Sequence, residues 1–168
     1  VSLSHAWASH GLVPARVIQA LAGSDQIIIN RGKRNKLAPE QFILADNAIV
    51  GSISGLFSHQ AKVSLITDKS SHIEVYIKSA QAMAKGLLDG LGNGEAKIHN
   101  ILYQHKVAIG DPVRVQTKPG LLEVPVIVGR VSQCQQDETE GLLWDITVEP
   151  ASDLESLGHV HVIVAPAQ

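Results

Sequence analysis

The stretch IVGSIS at 49–54 returns almost unchanged as IVGRVS at 127–132, so that Gly51 recurs as Gly129 and Ser54 as Ser132, each 78 residues on. The flanks repeat with a slowly drifting offset. Phe42 corresponds to Val113 at 71 residues, and Thr67 to Thr147 at 80. Drift of that size is what loops of unequal length produce between matched strands. Both glycines lie inside runs of alternating apolar residues, where glycine costs packing and backbone entropy and therefore marks a bulge or a sharp bend. A chain of 168 residues that uses this device twice is expected to be two small β-units of one plan, laid end to end.

The remaining pattern agrees. In HIEVYIK (72–78), Ile73, Val75 and Ile77 share one face and Glu74, Tyr76 and Lys78 the other. LLWDITVEP (142–150) sets Leu142, Trp144, Ile146 and Val148 against Asp145, Thr147 and Glu149, and HVHVIV (159–164) sets Val160, Val162 and Val164 on one side. Period two with β-branched residues is the signature of half-buried strands. Gly23-Ser24-Asp25, Asp46-Asn47, Gly92-Asn93-Gly94 and Pro119-Gly120 supply turns between them. The runs predict twelve strands in two sets of six: 15–20, 26–30, 41–45, 48–57, 61–67 and 72–78, then 86–91, 96–102, 112–117, 124–133, 142–149 and 159–165. Six short strands in an open sheet leave two unpaired edges, and closure into a barrel removes both. The expected fold is therefore all-β, with two six-stranded β-barrels in tandem in a chymotrypsin-like arrangement without a catalytic site. The first barrel is expected over 13–80 and the second over 81–168, after an N-terminal remnant at 1–12.

Two segments depart from this regularity. SAQAMAKGLLDGLG (79–92) carries Ala80, Met83, Ala84, Leu87, Leu88 and Leu91 at helical spacing, weakened by Gly86, Gly90 and Gly92. It predicts a turn or short helix to about residue 85 and a strand after it. VSLSHAWASHG at the start has no clear period and reads as the frayed end of something longer, since the chain opens on Val1 without a methionine.

Composition narrows the function. Apolar residues make up 45% and charged residues 18%, enough to build a core, and the net charge of −2 lacks the concentrated basic face that nucleic acid requires. The most basic stretch, NRGKRNK (30–36), reads as a solvated turn between strands. The single Cys134 permits no intrachain disulfide and no cysteine-based zinc site. No stretch has the length of a transmembrane helix. His159 and His161 share a strand face, and His99 and His105 lie six apart, but two histidines without further fixed ligands do not specify a metal. Two barrels in series also raise a chymotrypsin-like hydrolase, with His59 or His72, Asp111 and Ser132 in the required order. Ser132 lies in a strand continuation, however, without the glycine-rich oxyanion loop. Phosphate-binding and dinucleotide-binding glycine loops are absent. The residues describe no catalytic, cofactor or metal site, and a scaffold or adaptor fits them better than an enzyme.

The segments ARVIQA (15–20), IIINRGKRNKLAPEQFILADNAIVGSIS (27–54), AKVSLITDKSSHIEVYI (61–77), VAIGDPVRVQTKPG with VPVIVGRVS (107–132) and LLWDITVEPASDLESLGHVHVIV (142–164) together resemble the rod shape-determining MreC family, in family order and over about residues 13–164. The resemblance implies an extracytoplasmic pair of β-barrels that follows a coiled coil and a membrane helix. It implies a non-enzymatic part in the machinery that elongates the lateral cell wall, at the periplasmic face of the inner membrane. Its implied partners are the rod-system penicillin-binding protein, MreB, MreD and further copies of itself, with no cofactor. The resemblance also implies strand at 86–91. The coiled coil before ARVI is absent or reduced to residues 1–12, which leaves dimerisation through it open. Docking would use exposed strands and apolar patches, and Phe57, Tyr76 and Tyr103 are the large groups on faces expected to point outward. An export-pump adaptor barrel is a further alternative.

Overall fold

The duplicated IVG motif turns a corner in each of two closed barrels. The computed structural model describes residues 11–79 and 82–164. Its strands are β1 (Gly11–Leu21), β2 (Gln26–Ile29), β3 (Phe42–Ala45), β4 (Ala48–Leu56), β5 (Ala61–Leu65), β6 (His72–Lys78), β7 (Met83–Gly92), β8 (Glu95–His99), β9 (Pro112–Val115), β10 (Val126–Gln136), β11 (Trp144–Pro150) and β12 (His159–Val164), with single 3₁₀ turns at Lys33–Asn35 and Leu154–Ser156. Each of the twelve expected strands is present, and every pairing is antiparallel.

In β4 the register against β3 shifts between Ile43 and Leu44, so that Gly51 opposes Ile43 while Val50 bulges. In β10 the register against β9 shifts between Ile127 and Gly129, and Val128 bulges in the same way. Val50 and Val128 are fully buried. A Cβ on Gly51 would stand 2.4 Å from the carbonyl oxygen of Ser64, and one on Gly129 2.3 Å from that of Glu149. These corners need glycine because the neighbouring strand passes too close for any side chain.

The two rings have the same circular order. The first runs β1-β12-β3-β4-β5-β2 and the second β7-β6-β9-β10-β11-β8. Superposing the corners matches β3 to β9, β4 to β10, β5 to β11, β2 to β8 and β1 to β7. The last partner of β1 and β3 is β12, and the last partner of β7 and β9 is β6. Each six-strand unit of sequence therefore gives its final strand to the other barrel. This corrects the expected division at residue 80: residues 72–78 belong to the second ring and 159–164 to the first. The physical reason is that β6 and β12 both alternate polar and apolar residues and so fit either ring. The loop at 66–71 and the return at 151–158 then both cross between barrels, tying them twice. The correspondence of Thr67 with Thr147 also changes, because Gly51 pairs with Leu65 while Gly129 pairs with Pro150. Thr147 is thus the counterpart of Lys62.

Strand β7 begins at Met83, paired with Lys78, so residues 82–85 are not helical. The hairpin is closed by Ser79, whose amide and hydroxyl both donate to the Ala82 carbonyl at 2.9 and 3.2 Å. Gly90 admits no side chain, since a Cβ there would lie 2.0 Å from the Asp68 carbonyl oxygen of the crossover loop. Residues 80 and 81 lie outside the described residues, as do 1–10 of the expected N-terminal remnant, whereas Gly11 and Leu12 already belong to β1.

Ile27, Ile29, Ile43, Val50, Ile53, Val63, Val160 and Val162 fill the first barrel. The larger core fills the second and extends across the junction, where Phe42, Leu44, Ile49 and Ile163 of the first ring and Ile66 of the crossover loop pack against Val113, Val128, Ile146 and their neighbours. Both faces of several first-barrel strands are thus buried, one within the ring and one against its partner, and β3 (FILA) is buried along its whole length.

Candidate partner-binding surfaces

Residues 101–105 and 137–144 are held together outside the second ring by backbone bonds: Tyr103 N–H to the Leu142 carbonyl at 2.7 Å and Trp144 N–H to the Ile101 carbonyl at 2.9 Å, with an isolated bridge between Leu102 and Leu143. The Trp144 indole donates to the His105 carbonyl at 2.8 Å, and its ring lies 4.5 Å from that of Tyr103 at an interplanar angle of 49°. The loop carrying Leu142 is fixed by Asp137, which accepts from the amides of Thr139 and Glu140 at 2.8 Å each. Those two amide bonds hold the Asp137 carboxyl below its ordinary pKa. The result is an ordered apolar patch in which Leu142 is 77% exposed beside exposed Leu102 and Tyr103 and half-buried Trp144. Large apolar groups on a braced loop are the usual material of a protein contact.

Of the three residues expected to face outward, Tyr103 belongs to this patch. Phe57 is 54% exposed but sits at the end of β4 on the first barrel, so the two do not form one surface. Tyr76 departs from expectation and is only 7% exposed. Tyr76 lies on the face of β6 opposite the core residues Val75 and Ile77, and that outer face is covered at this position. Leu142 is not distinguished by the sequence, since alternation places it with Trp144, Ile146 and Val148. The strand begins only at Trp144, and Leu142 lies in the turn before it.

A groove of about 550 Å³ runs along the junction of the barrels, lined by Phe42, Ser54, Ser64, Ser71, His72 and Lys118 among others. Two of its lining residues, Ser64 and Ser70, belong to an acid–serine network. Asp68 accepts from the Ser70 hydroxyl and amide, from Gln26 Nε2 at 3.3 Å and from the Asp25 amide at 3.2 Å, and Ser64 Oγ lies 3.2 Å from Ser70 Oγ. Burial alone would raise the Asp68 pKa, but these donors, Ser70 first, hold it below the ordinary value. The Asp25 carboxylate in turn accepts from the Gly94 amide at 3.0 Å, joining the β1–β2 turn of one barrel to the β7–β8 turn of the other. Among the described residues no serine hydrogen-bonds an imidazole here: His72 Nδ1 lies 2.5 Å from Asp89 Oδ1, and His99 Nε2 lies 3.4 Å from the second oxygen of that carboxylate.

The residues that a chymotrypsin-like reading would need are occupied elsewhere. Ser132 Oγ donates to the Thr147 carbonyl at 3.2 Å, and Asp111 accepts from the Ala108 amide at 2.9 Å. Cys134 lies over the Val107 carbonyl, and burial, with Asp111 nearby, raises its thiol pKa. His159 and His161 are exposed on β12, opposite Arg16 and Pro14. Among the described residues no group of three ligands is placed to hold a metal ion, and no helix is long and apolar enough to cross a membrane.

A family model described as rod shape-determining protein MreC, barrel core, matches residues 19–164. The chain belongs to the MreC family. Members of that family are structural, shape-determining proteins and not enzymes. Solved MreC structures share the fold. MreC from Listeria monocytogenes superposes with a TM-score of 0.83 at 19% identity, covering 95% of this chain and 78% of that one. MreC from Pseudomonas aeruginosa gives 0.78 at 17% identity, covering 90% and 98%. A chain of the complex between penicillin-binding protein PBP2 and MreC from Helicobacter pylori gives 0.73 at 19% identity, covering 94% and 99%. No individually curated protein matches the sequence.

Proposed function

We propose that this MreC-family chain is a periplasmic scaffold of the rod machinery. It organises lateral wall synthesis by holding a penicillin-binding protein at the inner membrane, alongside MreB, MreD and further copies of itself. The observation that carries this reading is the likeness of the whole double barrel to the MreC that is found in complex with PBP2. The periplasmic placement is supported by a second likeness, to a structure described as the major periplasmic domain of MreC, at a TM-score of 0.78 and 20% identity.

The surface assigned to the synthase is the patch of Leu102, Tyr103, Leu142 and Trp144. Its apolar groups are presented on backbone-bonded loops, so little ordering entropy is lost on docking. Closed barrels leave no free edge, which makes side-chain docking the favoured mode over strand addition.

The test is binding of the chain to the periplasmic region of the cognate elongation penicillin-binding protein. The wild type is expected to bind, and Leu102→Ser with Leu142→Ser, both exposed side chains, to weaken binding about tenfold or more with the folded circular dichroism spectrum retained. Wild-type affinity in that double variant would remove the patch. Absence of binding by the wild type would remove the partner.

A further inference from the structure

The basic turn and the exposed Phe57 are one structural unit. Lys33 N–H donates to the Phe57 carbonyl at 2.8 Å and Arg34 N–H to the Ser58 carbonyl at 3.0 Å. Gly32 fits between the turns because a Cβ there would lie 2.2 Å from the Phe57 oxygen. The Asn35 side chain accepts from the Gly32 amide at 3.0 Å, Lys36 closes the turn in the left-handed region at φ 63°, and buried Leu37 anchors the segment. Residues far apart in sequence are thus fixed side by side at one end of the first barrel.

The side chains on this unit are of two kinds. Lys33, Arg34 and Lys36 are exposed, and among the described residues none of them makes an ion pair within the chain. Arg31 is half-buried, and its guanidinium donates to the Asn30 carbonyl. Exposed Arg16 is tied to Asn30 by the bond from its amide to Asn30 Oδ1 at 2.8 Å. Residues 58–60, Ser-His-Gln, bring no carboxylate, and Glu40 is the acid nearest along the turn. Amid these cations stands Phe57, 54% exposed. Nothing in the wall-synthase reading uses this end of the molecule.

From this juxtaposition we propose that the Arg31–Lys36 turn with Phe57 is a docking site for a bilayer surface rich in anionic phospholipid. The chain as a whole carries a net charge of −2, so a long polyanion that tracks the protein would meet repulsion outside this turn. A bilayer presents many phosphates at one plane and an apolar layer directly beneath. Lysine and arginine reach phosphates while laying their stems along apolar surface, and an aromatic ring settles at the boundary. A cluster of cations around a single exposed phenylalanine matches that layering. A soluble polyanion would use the cations and leave the ring in water.

The test is vesicle flotation of the chain on phosphatidylcholine alone and on phosphatidylcholine with about a third phosphatidylglycerol. At low salt, binding to the anionic vesicles is expected to exceed binding to the neutral ones by about tenfold, and to fall away at about 0.5 M salt. Lys33→Glu with Arg34→Glu is expected to return binding to the neutral-vesicle level with an unchanged circular dichroism spectrum. In Phe57→Trp, emission is expected to shift to the blue on anionic vesicles, against a Phe57 parent whose emission does not move. No preference for the anionic vesicles, wild-type binding by the charge-reversed variant, or unmoved emission from vesicle-bound Phe57→Trp protein would each overturn the proposal. Binding to soluble heparin without binding to vesicles would replace it with a polyanion site.

Discussion

The Ser132 hydroxyl donates to the carbonyl of Thr147 across the β10–β11 pair at 3.2 Å, and Ser54 does the same to Lys62 across β4–β5 at 3.3 Å. Each serine occupies the position where the register of its pair shifts, between Ile53 and Gly55 in one barrel and between Val131 and Gln133 in the other. Three residues upstream stands the corner glycine. A glycine that bends the strand against one neighbour is followed by a serine that ties the bulge to the other, and this pair of devices is what the repeated motif encodes.

The corners are accordingly intolerant of a methyl group. Gly51→Ala and Gly129→Ala each drive a Cβ into a backbone oxygen that cannot turn away, and each is expected to cost about 2–4 kcal/mol. Gly158→Ala is the control, since nothing lies within 4 Å of its added Cβ, and a change within about 0.5 kcal/mol is expected there. Urea midpoints of the three variants check this. A corner variant as stable as the control would show that the strand relaxes around the methyl group.

Much of the fold is legible in the sequence because its signals are local. Alternation in 72–78 and 159–164 marks strands whatever they pair with, and Gly51 and Gly129 announce a bend before the neighbour is known. The exchange of β6 and β12 is not legible, because Ile73, Val75 and Ile77 offer one ring what Val160 and Val162 offer the other. Partner choice is set by where the crossovers at 66–71 and 151–158 run, and no local period records that. The surface is harder still. Alternation puts Tyr76 outside and Leu142 inside, and the structure reverses both, since a covered outer face and a strand that starts two residues late leave no trace in period two.

The exchange predicts that the barrels unfold together. Val162 is fully buried in β12, within the first barrel, whereas Trp144 lies on the second. Val162→Asp places an unpaired carboxylate in an apolar core, at a cost of about 3 kcal/mol or more. The fluorescence transition of Trp144, measured in a chain with Trp7→Phe, is expected to move with the far-ultraviolet circular dichroism transition to lower urea, since β12 and β6 link both rings. A Trp144 transition that stays at its original midpoint would mean that the second barrel stands alone.

Asp68 supplies a pH dependence with a definite sign. Its folded pKa is depressed below the ordinary 3.8 by donors from Ser70, Gln26 and Asp25. A depressed folded pKa means that the unfolded chain binds the proton more readily. The stabilisation is therefore fully present above the unfolded value, and it is lost as pH falls from there through the folded value. In Asp68→Asn it is missing at neutral pH, where the urea midpoint is expected to drop by the equivalent of about 1–3 kcal/mol. The gap between variant and wild type should narrow below about pH 4. A constant gap down to pH 3 would place the effect in lost packing at the crossover and not in the charge.

The Leu142 loop separates binding from folding. Its bracing comes from backbone bonds and from Asp137, so the side chain of Leu142, at 77% exposure, contributes little to the folded state. Leu142→Ser is expected to leave the melting temperature within about 1 °C. Trp144→Leu removes the indole bond to the His105 carbonyl and the ring contact with Tyr103. It is expected to cost about 1–3 kcal/mol and to free residues 101–105 from the loop. Hydrogen exchange at the Tyr103 amide, which donates to the Leu142 carbonyl, is the measurement that resolves the two, with protection kept in the first variant and lost in the second. Loss of protection in Leu142→Ser would mean that the exposed leucine holds the loop in place, and would make the patch a structural element of the barrel before it is a surface for anything else.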